Sequence, residues 1–299
     1  VALGSNTIIF DTLSQGSYTD ENVVIYDNFG NSLLIHIPDF DIIGDVNGTV
    51  IDNIGTKLIW LDADDDNSFD NTVSEVAYWN DRSGNGWNVT ADTVEIWTNR
   101  PALMPLRTVT DGAKAVKFNH SPMRTTTSGS SDFNITLGDP YTFYIVMKFD
   151  EHSGTQAVFD FISGDHRNLL VANGSSLKFL SGNSYSDLFP LGDVRRRLIV
   201  GYWDGVDSTL DIGDGNINIF DAGSPQLSGL LIGGIGNGYG VATNSLIGDI
   251  HEFIIFDGGL NSTEDTAVRN YLNTKWFPTA VDSINKLGWW SAYDTDDFD

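Results

Sequence analysis

The stretch DADDDNSFD places Asp62, Asp64, Asp66 and Asp70 at the spacing of positions 1, 3, 5 and 9 of a calcium loop. Hard carboxylate oxygens at alternate positions suit Ca²⁺, which makes these four residues the candidate metal ligands and Ca²⁺ the candidate cofactor. Position 6 of the pattern is Asn67 instead of Gly, and position 12 is Val73 instead of Glu. The same residues also read as a turn of solvated Asp, and spacing leaves both readings open. DIGDGN at 211 to 216 is a weaker stretch of the same kind. A second chemistry is offered by GGIGNGYG, residues 233 to 240. It has no Lys-Ser/Thr and no helix pattern after it, so it is not a phosphate loop. As a hairpin tip it presents Asn237 and Tyr239. With Trp87 in another polar loop, these are the candidate ligand-binding residues, because planar rings and short amides suit sugar faces and hydroxyls.

Catalytic patterns are missing. The six Glu residues include Glu95 and Glu252, each alone in its strand-like run. A glycosidase pair needs two carboxylates facing one cleft. The five His residues are scattered, with no HExxH and no nucleophile elbow. No catalytic residue is assigned, and the chain is expected not to be an enzyme.

These residues sit in a chain of 299 with a formal charge of −25. Such a charge repels phosphate backbones and anionic lipid, so nucleic acid is excluded as a partner. No apolar run reaches the roughly 18 residues of a membrane helix. Zero cysteines exclude disulfides, thiolate metal sites and a thiol nucleophile.

The positioning elements are short β-type runs separated by Gly, Asn and Asp turns. YTFYIVMKF and HEFIIF are apolar on both faces, as central strands are. DNFGN, residues 27 to 31, reads as a hairpin loop. The spacing of runs near ten residues argues an all-β sandwich. One helix is expected in LNSTEDTAVRNYLNTKWFP, with Asn261 as N-cap, Glu264 as its capping-box partner and Pro278 as terminator. Val268, Tyr271, Leu272 and Trp276 make its apolar stripe.

The chain also repeats itself. KLIWLDADDDNSFD (57 to 70) and KLGWWSAYDTDDFD (286 to 299) agree at seven of fourteen positions. We read residues 1–56 as a small β-rich segment, 57–278 as one sandwich, and 279–299 as a linker and the start of a second similar module.

LIWLDADD, VSEVAYWNDRSGNGWNVT, AVKF, YTFYIVMKF and LIGDIHEFIIFDGGLNSTEDTAVRNYLNTKW together resemble concanavalin A-like lectin/glucanase domains of the laminin-G-like type. The resemblance covers about residues 57 to 278. It implies an antiparallel two-sheet jelly-roll, with Trp79 anchoring the SGNG turn and Ile250, Phe253, Ile254 and Phe256 filling the sandwich. Glucanases of this fold carry an E-x-D-x-x-E strand, which this chain lacks. The resemblance therefore implies a non-catalytic adhesion or structural protein of a virion surface or an extracellular surface, a fibre or a capsid or tail decoration. Its partners would be a surface glycan or polysaccharide and other surface proteins, with self-association compatible. A bacterial adhesin and a purely structural jelly-roll are the alternatives, and a polysaccharide hydrolase ranks below them.

Overall fold

The computed structural model describes side chains for residues 51–69, 75–91, 105–110, 112–125, 140–161, 170–179, 190–213, 217–221, 229–235 and 245–277, and further strands by their backbone. Asp70, Asn237, Tyr239, Pro278 and the repeat at 286–299 lie outside the described residues. The chain divides into two compact units, residues 54–264 and residues 1–53 with 265–299.

The 54–264 unit is the expected all-β sandwich, built of two antiparallel sheets. The eight-stranded sheet runs Leu106–Thr110, Ala113–Asn119, Ile247–Asp257, Tyr141–Phe149, Arg197–Trp203, Ser208–Asp211, Ile217–Phe220. Its eighth strand, Lys57–Asp62, also pairs with Ile247–Asp257. The nine-stranded sheet runs Ser184–Tyr185, Ser176–Ser181, Asn168–Asn173, Thr155–Phe161, Leu230–Ile232, Met123–Thr125, Val89–Ala91, Tyr78–Trp79. Phe189–Pro190 joins it beside Ser176–Ser181.

Alternation along each strand sends every second side chain into the space between the sheets. Phe143 and Phe253 from one sheet close on Phe159 from the other, with ring centroids 5.0 and 5.2 Å apart. Each fully buried aromatic of this kind stabilises by roughly 1.5–3 kcal/mol. Trp79 is buried as expected, stacks on Phe69 at 5.8 Å and donates Nε1–H to the Asp62 carbonyl at 3.2 Å.

The Ile247–Asp257 strand departs from simple alternation. One edge pairs with Tyr141–Phe149 throughout. The other edge is shared, with Ala113–Asn119 on residues 247–250 and Lys57–Asp62 on residues 252–256. Between them His251 is an extra residue: Val146 lies opposite Glu252 and Met147 opposite Ile250. This β-bulge switches parity. Ile250, Phe253 and Ile255 therefore face the core. Ile254 and Phe256, expected there from the sequence, are buried but stand outside that core cluster.

In the other unit, Glu21–Tyr26 and Ser32–Ile37 pair antiparallel, and DNFGN between them lies outside the described residues. The Ser262–Trp276 helix, the expected one, straddles the division, with its capping box at 261–264 belonging to the 54–264 unit. The Asn261 side chain accepts from the N–H groups of Thr263 and Glu264, and the Glu264 carboxylate accepts from the Asn261 N–H, each at 3.0 Å. Val268, Tyr271, Leu272 and Trp276 are its buried residues. Among the described residues no helix is long and apolar enough to cross a membrane.

Candidate ligand-binding face

The nine-stranded sheet has an outer face, formed by the residues that alternate with its core-facing Trp79, Val89, Met123, Ile232 and Phe159. Register aligns them across the strands. Tyr78 is opposite Thr90, Thr90 opposite Arg124, Arg124 opposite Leu231 and Leu231 opposite Asp160. The result is one transverse row of phenol, hydroxyl, guanidinium, alkyl and carboxylate, with strands about 4.8 Å apart. Tyr78, Thr90 and Arg124 are half-buried, while Leu231 and Asp160 are buried.

The Gly-rich segment attaches to this face at both ends. Ile235 packs against Ala157 and Val171, which alternate with the core residues of their strands. Ser245 forms a parallel bridge with Ala157. A Cβ added at Gly234 would lie 3.1 Å from Pro122 Cβ and 3.5 Å from Leu231 Cδ2. At Gly233 it would lie 2.4 Å from Phe118 Cδ1, and Gly233 has a φ of 77°. Glycine is needed there twice over, for the approach and for the backbone. Asn237 and Tyr239 belong to the part between these ends, outside the described residues.

Trp87 stands in the SGNG loop, which is organised by the Asp81 carboxylate. Asp81 Oδ1 accepts from the Trp60 and Ser83 N–H groups at 2.9 and 2.8 Å. Its Oδ2 accepts from the Trp87 N–H at 3.0 Å and the Ser83 hydroxyl at 2.7 Å. Gly84 and Gly86 take positive φ, 89° and 76°, as their turn requires. The Trp87 ring is partly buried against the core cluster.

The acidic loop is braced by cations from three other elements. Arg82 pairs with Asp62 and Asp65 and lies 4.2 Å over the Trp60 ring. Arg107 pairs with Asp66 and lies 4.6 Å over Phe69. Lys114 Nζ reaches Asp66 at 2.9 Å and Asp64 at 3.4 Å. Hydrogen bonds from Lys114 and Arg107 hold the Asp66 carboxyl below the ordinary range. Asp65 caps the short Asp66–Ser68 turn by accepting from the Asn67 N–H. Among the described residues no three carboxylates or imidazoles are grouped to hold a metal ion. Asp62, Asp64 and Asp66 are thus joined to Arg and Lys, and Asp70 lies outside the described residues.

The structure also places Glu252 directly across from Asp62. Sequence reading finds Glu252 alone, because nothing local signals a register between strands so far apart in the chain. Both side chains are buried, and Glu252 accepts from Trp60 Nε1–H at 2.7 Å. Arg124 and Asp160 were likewise missed. Asp160 is signalled only as a charged residue in the apolar run AVFDFI, Arg124 sits in the polar stretch SPMRTTT, and register alone brings them into one row.

The fold is that of a two-sheet β-sandwich shared with several solved structures. One is the binding domain of botulinum neurotoxin serotype D/C VPI 5993, with a TM-score of 0.52, 11% identity, and coverage of 74% of this chain and 53% of that one. Another is a structure concerned with botulinum neurotoxin type C, whose cell entry depends upon interaction with two ganglioside molecules (TM-score 0.51, 12% identity, 76% and 52% covered). A third is Trypanosoma rangeli sialidase in complex with sialic acid (TM-score 0.50, 13% identity, 87% and 45% covered). This chain spans about half the length of each. At such identities the likeness concerns the fold alone. The sequence matches no protein-family model and no curated protein.

Proposed function

We propose that the 54–264 unit is a non-catalytic glycan-binding module acting on a virion surface or an extracellular surface. The observation that carries this reading is the run of half-buried side chains Tyr78, Thr90 and Arg124 along the transverse row of the nine-stranded sheet, beyond which Leu231 and Asp160 are buried. A change of chemical type about every 4.8 Å is on the scale of single sugar rings. An aromatic ring offers a face for stacking, while hydroxyl and guanidinium groups offer directional partners for sugar hydroxyls. Support by analogy comes from the sandwich structures concerned with ganglioside and sialic acid. Binding without cleavage is favoured because Glu252 and Asp62, the carboxylates found facing each other, are buried.

The test is a printed array of bacterial, plant and animal glycans probed with the whole chain, paired with an assay for released reducing sugar. Binding without release is expected, and Arg124→Ala and Tyr78→Ala should each weaken it. An array with no signal for the folded protein, or release of reducing sugar, would sink the reading. Tyr239→Ala and Asn237→Ala on the same array test the Gly-rich segment. The surface location is tested by antibody labelling of intact particles or cells, where labelling only after lysis counts against it.

A further inference from the structure

Ile217–Phe220 is the last strand of the eight-stranded sheet, and its far edge pairs with no strand among the described residues. An open edge is a template for another strand, and folded proteins guard theirs. The other edges of the sandwich carry such guards. The SGNG loop covers Lys57–Asp62, where the Asp81 carboxylate accepts from the Trp60 N–H and the Arg82 N–H donates to the Trp60 carbonyl at 2.7 Å. Leu106–Thr110 carries Arg107 and is bridged by Glu75. The nine-stranded sheet ends in Tyr78–Trp79, Ser184–Tyr185 and Phe189–Pro190, each of two residues. INIF has no charge, no proline and no bulge.

Phe220 packs on the core, 5.9 Å from Phe179, so Ile217 and Ile219 alternate to the outer face of their sheet. They leave 62% and 68% of their surface exposed, and no other isoleucine is exposed among the described residues. The strand is complementary to itself. A two-fold axis through Asn218, perpendicular to the sheet, pairs it antiparallel with its own copy and sets Ile217 opposite Ile219 twice, on one face. Apolar cross-strand pairs of this kind stabilise a sheet. Each chain carries a formal charge of −25, so two copies repel. An uncharged edge lets them meet without setting carboxylate against carboxylate.

We propose that Ile217–Phe220 is a self-association edge, at which two copies of this chain join their eight-stranded sheets into one continuous sheet. The contact is independent of the glycan reading. The test is sedimentation velocity of the whole chain over a concentration series, at low and at high NaCl. A dimer is expected that tightens with salt, because screening removes repulsion and no ion pair is lost. Ile219→Lys should weaken it about a hundredfold or more, since two buried isoleucines are replaced by charges, and should leave the melting temperature of the monomer unchanged. Ile217→Thr makes the same comparison with a milder change. The chain has no cysteine, so Asn218→Cys is a clean probe of register. Its Cα would lie about 4.5–5.5 Å from its twin, within disulfide reach, and mild oxidation should link the dimer. Ile217→Cys, offset from its twin by two residues, should not link. A wild-type chain that stays monomeric at every concentration and salt would overturn the proposal and leave the edge to a strand of another protein. A dimer that survives Ile219→Lys and Ile217→Thr, or that Asn218→Cys fails to link, places the contact elsewhere and overturns it as well.

Discussion

Removing the Asp81 carboxylate should open the SGNG loop and unpin it from the first strand of the sandwich. In Asp81→Ala the N–H groups of Trp60, Ser83 and Trp87 lose their acceptor. A hydrogen bond to a charged group contributes about 1.5–3 kcal/mol, and a buried donor left unsatisfied costs about 1–3 kcal/mol. Trp60 is fully buried, so water cannot replace that bond. Ser83 and Trp87 are only half-buried, and their donors are partly rehydrated. The expected loss is about 3–4 kcal/mol. For a unit of this size 1 kcal/mol corresponds to roughly 2–4 °C, so the melting temperature should fall by about 10 °C. Asp81→Asn keeps one acceptor oxygen but turns an amide NH₂ toward the Trp87 N–H. Its loss should be about 1–2 kcal/mol. Urea unfolding of the three proteins, followed by tryptophan fluorescence, gives the numbers directly. An Asp81→Ala variant within about 1 kcal/mol of wild type would refute the claim that this carboxylate holds the loop.

Gly201→Ala should cost about 3 kcal/mol, because the new Cβ would sit 2.1 Å from Phe143 Cε1 in a core where Phe143 is wedged against Phe159 and Phe179; a melting temperature equal to wild type would show that the ring can move aside. Asp249→Asn should stabilise the protein at pH 7. Burial pushes the Asp249 carboxyl up, against the pull of Lys117. Its folded pKa therefore lies above the unfolded value of about 3.9. Ionisation then costs stability, with no penalty below the unfolded pKa and the full penalty once pH has risen through the folded one. The gain from Asn should shrink toward pH 4, and a gain that persists there would contradict this sign. For the acidic loop, Ca²⁺ binding by Asp62, Asp64, Asp66 and Asp70 predicts a melting temperature that rises in millimolar Ca²⁺ and falls in excess chelator, whereas an unchanged curve would leave Asp62, Asp64 and Asp66 to their ion pairs with Arg82, Arg107 and Lys114.

Features set by neighbours in sequence were legible. Asn261 and Glu264 form a capping box three residues apart, and the structure has both halves of it. The glycines of the SGNG turn and the buried Trp79 follow from turn chemistry and apolar patterning in the same way. Long-range register was not legible. The bulge at His251 comes from three strands meeting at one residue, and it reverses which of Ile254 and Ile255 faces the core. The spacing of Asp62, Asp64 and Asp66 was visible, but the cations that meet them are Arg82, Arg107 and Lys114, supplied by other elements. The same limit hid the Tyr78 to Asp160 row, since its members come from five strands and are aligned only once the nine-stranded sheet exists.

The shared edge of the Ile247–Asp257 strand also sets a schedule. Trp60 donates to Glu252, a residue 192 positions later. The strand bearing Trp60 precedes the other described strands of the sandwich, and its hydrogen-bonding partner is the last of those described. At about 5–20 residues per second, synthesis of the intervening chain takes on the order of 10–40 s. Throughout that interval Leu58, Ile59, Trp60 and Leu61 are an apolar strand with no edge to join. The nascent chain therefore needs shelter from chaperones or from its own partial structure, and the sandwich closes only when the Ile247–Asp257 strand emerges.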